Sequence, residues 1–348
     1  MHAVNTLLNA VCRQLNASGK ADLNDAGPHE ACGSKGETML KLTAKLSKAC
    51  LAALLALTLG AGEALADVAV DAANFPDSHF RQWVKENAAQ GGNVLTDAQI
   101  AQVEEMDVSY GEIASLKGLE RFTALKALIC FSNSLKTLEL PAGNALESLV
   151  LSGNELAGLD LAKVPALKEL RLDQNSVKVL DLATVPELAV LSCRYNGLKT
   201  LDLSHSPKLS VLDCWGNELE ALDLSRNPDL EKLNCLENPI AKIDLSKNPK
   251  LAEISLPAQA QAVLPNGDAV SMADFQPAKA AGGKYRLDLA KYGSKIASVT
   301  LEPEGDADPR QLKPSKGAYA FPSCDGKLRI AYRLGGDAEL EFVVYLEK

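Results

Sequence analysis

The chain has 348 residues, 47% of them hydrophobic, and carries 45 Asp and Glu against 36 Lys and Arg for a formal net charge of −9. That is enough apolar material for a sizeable core. The acidic balance argues against a nucleic-acid partner, because phosphate contacts need clustered Lys and Arg.

In chain order, residues 1–38 show no apolar periodicity. Residues 39–66, MLKLTAKLSKACLAALLALTLGAGEALA, read as a signal peptide. Lys41, Lys45 and Lys48 form a basic start, an apolar run follows, and Ala64-Leu65-Ala66 supplies a small-residue cleavage site. The run is too short for a permanent membrane span. Because a signal peptide starts a protein, residues 1–38 read as a non-native upstream extension; the competing reading is a long n-region. The removed part would carry six Lys and Arg and five Asp and Glu, leaving −10 for residues 67–348. No second apolar stretch follows, so no membrane insertion is expected after cleavage. Residues 67–105 read as a helical N-terminal cap built of a helix, a Gly-rich turn and a second helix. Asp77 or Ser78 is placed to cap the first helix, and Thr96 with Gln99 to cap the second.

Residues 106–256 hold a repeat. Six copies begin at Leu125, Leu146, Leu167, Leu188, Leu209 and Leu230, each 21 residues after the last. A fixed period of this length means small units that bury apolar surface only by stacking. In LxxLxL the apolar residues alternate, which gives a short strand with one buried face. The Asn at 133, 154, 175, 196, 217 and 238 falls in the following turn, where its side chain can bond unpaired backbone groups; stacked, these form a structural Asn ladder. The second half, LxxLDLS, predicts another extended segment on the opposite side of the coil. Pro165, Pro186, Pro207, Pro228 and Pro249 turn the corner back. No helix fits in the remaining length, so the outer side is expected to be thin. Cys130, Cys193, Cys214 and Cys235 share a position with Leu151 and Leu172 and read as free buried thiols. A column of parallel side chains suits neither a tetrahedral metal nor a disulfide.

The consensus LxxLx(L/C)xxNxLxxLDLSxxPx resembles the leucine-rich repeat, in the short form of bacterial secreted proteins related to internalins. The match covers about residues 103–256 without insertion. The resemblance implies a mostly β leucine-rich-repeat solenoid of short 21-residue coils with a helical N-terminal cap. It also implies a concave face that recognises another macromolecule, and no enzyme activity. In similar proteins the cap can carry a calcium loop after FPDxxFR. Here that loop is AAQGGN, which lacks the carboxylates calcium requires, so neither metal nor cofactor is expected.

On that concave face the candidate binding residues are Phe131, Arg171, Asp173, Arg194, Tyr195, Asp213 and Trp215. Aromatics and Arg are the types enriched at binding hot spots. The two arginines are expected to orient an acidic group on a protein partner. A glycan stacked on Trp215 and Tyr195 is the alternative ligand, and a ligand-free envelope spacer the alternative role. The plainer reading of the large side chains is that each only covers the neighbouring strand. A second column, Glu139, Asp160, Asp181, Asp202, Asp223 and Asp244, places like charges about 4.8 Å apart. It either bonds turn amides or holds cations.

Residues 257–348 contain the alternating runs YRLDL, KIASVTLE, GAYAFP, LRIAYRL and LEFVVYL, which read as a β-sandwich and resemble immunoglobulin-like modules. Cys324 is alone there. His79 and His205 lie in no Ser-His-Asp or HExxH setting. The expectation is a monomeric exported binding protein, periplasmic, cell-surface or secreted.

Overall fold

The computed structural model describes residues 67–141, 146–280, 284–304, 308–315, 317–322 and 326–346. The expected signal peptide, the upstream extension and Cys324 lie outside the described residues.

The first described segment pairs β1 (Val68–Ala69) antiparallel with β2 (Val94–Leu95). Between them runs α1 (Ser78–Trp83), continued by a π-helical turn at Val84–Ala88, and α2 (Asp97–Ile100) follows. Of the two candidate caps for α1, Asp77 is used: its Oδ1 accepts the amides of His79 and Phe80 at 2.9 and 3.0 Å. The capping box of Thr96 and Gln99 forms as its spacing predicts. Both helices are shorter than the sequence pattern suggests, six and four residues. Helices this short rely on packing rather than propensity, and Phe75, Phe80, Val84, Leu95 and Ile100 are buried in one core with Met106 and Leu128 of the coils. Polar contacts add to that packing. The second oxygen of Asp77 accepts the amides of Ala114 and Ser115, and Arg121 donates to Asn74.

The repeats are a β-solenoid. One three-residue strand opens each coil: β3 (Glu105–Asp107), β4 (Ala127–Ile129), β5 (Ser148–Val150), β6 (Glu169–Arg171), β7 (Val190–Ser192), β8 (Val211–Asp213) and β9 (Lys232–Asn234). After β10 (Lys242–Asp244) comes β11 (Glu253–Ser255), which joins the same parallel ladder. The middle residue of every ladder strand points inward: Met106, Leu128, Leu149, Leu170, Leu191, Leu212, Leu233 and Ile254 are all buried. Its two neighbours point to the opposite face, as a period of two requires.

The Asn ladder is present. Asn154 donates through Nδ2 to the carbonyls of Cys130 and Leu151 at 2.8 and 2.9 Å, and its Oδ1 accepts the amide of Leu135 at 3.0 Å. Asn175, Asn196, Asn217 and Asn238 repeat this one coil further each time. The second half of the coil behaves differently from expectation. It forms a ladder strand only in the last coil, where β10 pairs with β12 (Gln261–Val263), and β12 with β13 (Ala269–Ser271). In that corner lies an amide column the sequence reading passed over. Asn227 and Asn248 are fully buried and donate to the coil before them.

The remaining strands are β14 (Ala278–Ala280), β15 (Lys284–Asp288), β16 (Ile296–Pro303), β17 (Arg310–Gln311), β18 (Ala318–Pro322), β19 (Gly326–Gly335) and β20 (Ala338–Leu346). They match the alternating runs, but neither sheet breaks at the boundary expected between 256 and 257. β20 pairs parallel with β11, and β19, β16 and β17 extend the repeat sheet to twelve strands. Pairing of β20 covers the edge that the last coil would otherwise leave open. Strands β14, β15 and β18 form a separate three-stranded sheet. Arg329 fastens the junction, reaching Glu253 at 2.9 Å, Glu302 at 2.9 Å and Glu341 at 2.5 Å.

Candidate functional site

The outward residues of the ladder strands and the turn after them form one face of the sheet. Arg194, Tyr195, Asp213 and Trp215 meet on it. The Tyr195 and Trp215 rings are 5.7 Å apart and tilted by 42°. The Arg194 guanidinium lies 5.6 Å from the Trp215 ring centre and 3.5 Å from Asp213. Asp213 accepts the Trp215 amide at 3.3 Å, and burial pushes its carboxyl above the ordinary range. The Nε1 of Trp215 and the Nε of Arg194 are buried without a hydrogen-bond partner.

A residue from the far end of the chain completes the cluster. Tyr345 on β20 brings its ring to 5.3 Å from Trp215, so Tyr195, Trp215 and Tyr345 make a row. Tyr195 and Tyr345 are 41% and 43% exposed. The backbone arranges this. Each coil turns through a left-handed residue just before its ladder Asn, and Tyr195 takes that place with φ 50°. The next coil has Gly216 there, and a β-carbon on Gly216 would come within 2.4 Å of the Tyr195 ring. Glycine therefore serves twice at 216, accepting positive φ and leaving room for the ring.

The other predicted residues are placed elsewhere. Asp173 is engaged within the stack, accepting from the Ser192 hydroxyl at 2.5 Å and the Arg194 amide at 2.8 Å. Arg171 is exposed but paired with Glu169 at 2.7 Å. Phe131 packs edge-on against Tyr110 at 5.2 Å, four strands from Trp215. Arg171 and Arg194, expected to orient an acidic group on a partner, each also face a carboxylate of their own sheet.

The acidic column lies on the opposite corner and is exposed. Asp160, Asp181, Asp202, Asp223 and Asp244 each accept the amide two residues on at 2.9 Å. Those bonds hold the Asp202, Asp223 and Asp244 carboxyls below the usual range, with mutual repulsion the smaller influence. Turn capping accounts for five of the six members of the column. The four cysteines are buried and free. Burial pushes the Cys130 thiol up to about 12, and the other three shift the same way, so all four are held as thiols at neutral pH. Among the described residues no group of His, Cys, Asp or Glu could hold a metal ion, and no helix is long and apolar enough to cross a membrane. A shallow groove of about 750 Å³ beside Lys242, Gln261, Val263, Lys291 and Tyr292 contains none of the predicted residues.

No family model matches the sequence, and no curated protein does. Among solved structures, internalin C2 of Listeria monocytogenes is 21% identical, with 56% of this chain and 91% of that one covered and a TM-score of 0.49. The functional domain of InlJ from Listeria monocytogenes, which includes a cysteine ladder, is 23% identical over 58% of each chain, with a TM-score of 0.28. A leucine-rich-repeat protein of Leptospira interrogans is 22% identical over 48% of this chain and 50% of its own, with a TM-score of 0.42. This chain spans 58% and 50% of the length of the last two. These neighbours are leucine-rich-repeat proteins; the coil geometry itself, not the likeness, makes this chain a β-solenoid.

Proposed function

We propose that this is an exported binding protein, not an enzyme, that holds a protein partner on the outward face of its repeat sheet. The observation that carries the reading is the row Tyr195, Trp215 and Tyr345. It joins two distant parts of the chain on one exposed surface, and its two outer rings are over 40% exposed. Large rigid rings give contact area at low entropic expense, and interfaces are enriched in them. In this reading residues 39–66 are the export signal, 67–105 close the N-terminal end of the core, and the strands after 257 close the other end as a β-sandwich. The protein works as a monomer in the periplasm, on the cell surface or outside the cell.

The test is capture from envelope and host extracts with the full chain, followed by affinity measurement on the captured protein. Trp215→Ala should weaken binding by on the order of 2 kcal/mol and leave the circular dichroism spectrum unchanged. Equal affinity in wild type and Trp215→Ala, with a loss in Asp223→Asn instead, would move the site to the opposite corner.

A further inference from the structure

Tyr110 and Tyr195 occupy the same place in two different coils. Both have left-handed backbone, φ 55° and 50°, in a column completed by Ser132, Gly153, Gln174, Gly216 and Glu237. Both rest on the aromatic residue that follows the next coil's strand, Tyr110 on Phe131 and Tyr195 on Trp215. Left-handed backbone is unfavourable for a bulky residue, and glycine meets the need without strain at 153 and 216. Ser132, Gln174 and Glu237 take the same backbone, so the turn itself does not call for tyrosine. What sets these two places apart is a large ring held on an unfavourable backbone at an exposed face, which makes them candidates for function. Tyr110 is also the more exposed of the two, at 74%.

The two aromatic pairs are four strand steps apart, β3 to β7, or about 19 Å at the usual interstrand spacing. An extended polypeptide covers that span in about six residues. The surface between the pairs is mixed: Ser152, Glu169, Arg171 and Asp173 lie beside the outward Ile129, Val150 and Val190. Its arginines are spent on Glu169 and Asp213. Carboxylates, by contrast, remain available beside each pair. Glu112 follows Tyr110 by two residues, Glu237 lies two coils beyond Tyr195 in the same column, and neither forms an ion pair among the described residues. The rings lean on one another at 73° and 42°, so no flat file of faces is left for sugar rings to stack along.

We propose that this face is a two-point clamp for an extended, basic polypeptide segment whose two apolar or aromatic side chains, about six residues apart, seat on the Tyr110–Phe131 and Tyr195–Trp215 pairs. The clamp rests on the reading of this face as protein-binding and adds the number, spacing and charge of the anchors.

The experiment selects from a random 12-residue peptide display library on the full chain, with a glycan array probed in parallel. Enriched peptides should be basic and carry two large apolar residues separated by about six positions. Moving the anchors to three positions apart, or Tyr110→Gly or Tyr195→Gly in the protein, should each weaken the best peptide on the order of 30-fold. Both glycine variants should melt at or above the wild-type temperature, because the left-handed turn is relaxed. The clamp is overturned by no enrichment, by acidic or single-anchor peptides, by glycan binding alone, or by a lowered melting temperature in the glycine variants. Peptide binding that needs Trp215 but ignores anchor spacing and Tyr110 would overturn the clamp and leave the protein-binding reading standing.

Discussion

At the corner after each sheet strand, Asn154 gives its Nδ2 to two carbonyls and takes an amide on Oδ1. At the opposite corner Asn227 also gives its Nδ2 to two carbonyls, of Leu203 and Ser206, but its Oδ1 takes nothing. Those two carbonyls already accept backbone amides from Ser206 and Leu209. The first column is therefore the means by which its corner is satisfied, while the second adds a spare donor to groups that are already paired. The same residue type, equally buried, should have very different weight in the two places.

The largest effect belongs to the first corner. Asn175 donates to the carbonyls of Leu151 and Leu172 at 3.0 Å and accepts the amide of Leu156 at 3.0 Å. Asn175→Ala leaves the buried Leu156 amide without a partner and takes one of two Asn donors from each of the Leu151 and Leu172 carbonyls, which keep Asn154 and Asn196, and should cost on the order of 2 kcal/mol in urea unfolding. Because each coil packs only on its neighbours, amide exchange should rise in the flanking coils as well. A loss below about 1 kcal/mol would erase the distinction between the corners.

Why one column was legible and the other was not follows from the residues themselves. The first corner carries Asn in all six copies, so the period exposes it. The second carries Val164, Val185, Ser206, Asn227 and Asn248, and two amides in a mixed column read as corner polarity. The candidate face divides the same way. Arg194, Tyr195, Asp213 and Trp215 follow from the repeat register. Tyr345 does not, because its place depends on β20 pairing with β11 across a long stretch of chain. Tyr110 escaped for a smaller reason: Met106 pairs with Leu128, a step of 22 residues, so counting by 21 misplaces the first coil. The pairing of Arg171 with Glu169 was available from alternation alone, since residues two apart on a strand share a face.

Asp77 gives the intermediate case, a fully used cap that is only half-buried. Burial is the largest single influence on its carboxyl and pushes it up, but the amides of Phe80, Ala114, His79 and Ser115 together hold it below the ordinary value. Asp77→Ala should cost about 1 kcal/mol. A depressed folded value means that the carboxylate's contribution is complete above the unfolded carboxyl pKa near ~3.9 and fades as pH falls through the folded value. The stability gap between wild type and Asp77→Ala should accordingly be constant at neutral pH and close in acid. A gap that persists unchanged through pH 2 would mean the side chain acts by packing rather than by charge.

The smallest effect should come from the second corner. Asn227→Val removes a buried amide whose oxygen has no partner and whose two acceptors keep their backbone donors. Valine nearly matches the volume, and the chain already uses it there at Val164 and Val185, both fully buried. Replacing a partly satisfied polar group by an apolar one of similar shape is close to neutral, so the stability should move by less than about 1 kcal/mol in either direction. Set beside Asn175→Ala in the same urea titration, this pair compares a buried amide whose oxygen takes a backbone amide with a buried amide whose oxygen takes none. If Asn227→Val destabilises as much as Asn175→Ala, the unpartnered Oδ1 must be bonded to a buried water, and the second corner is as fully satisfied as the first.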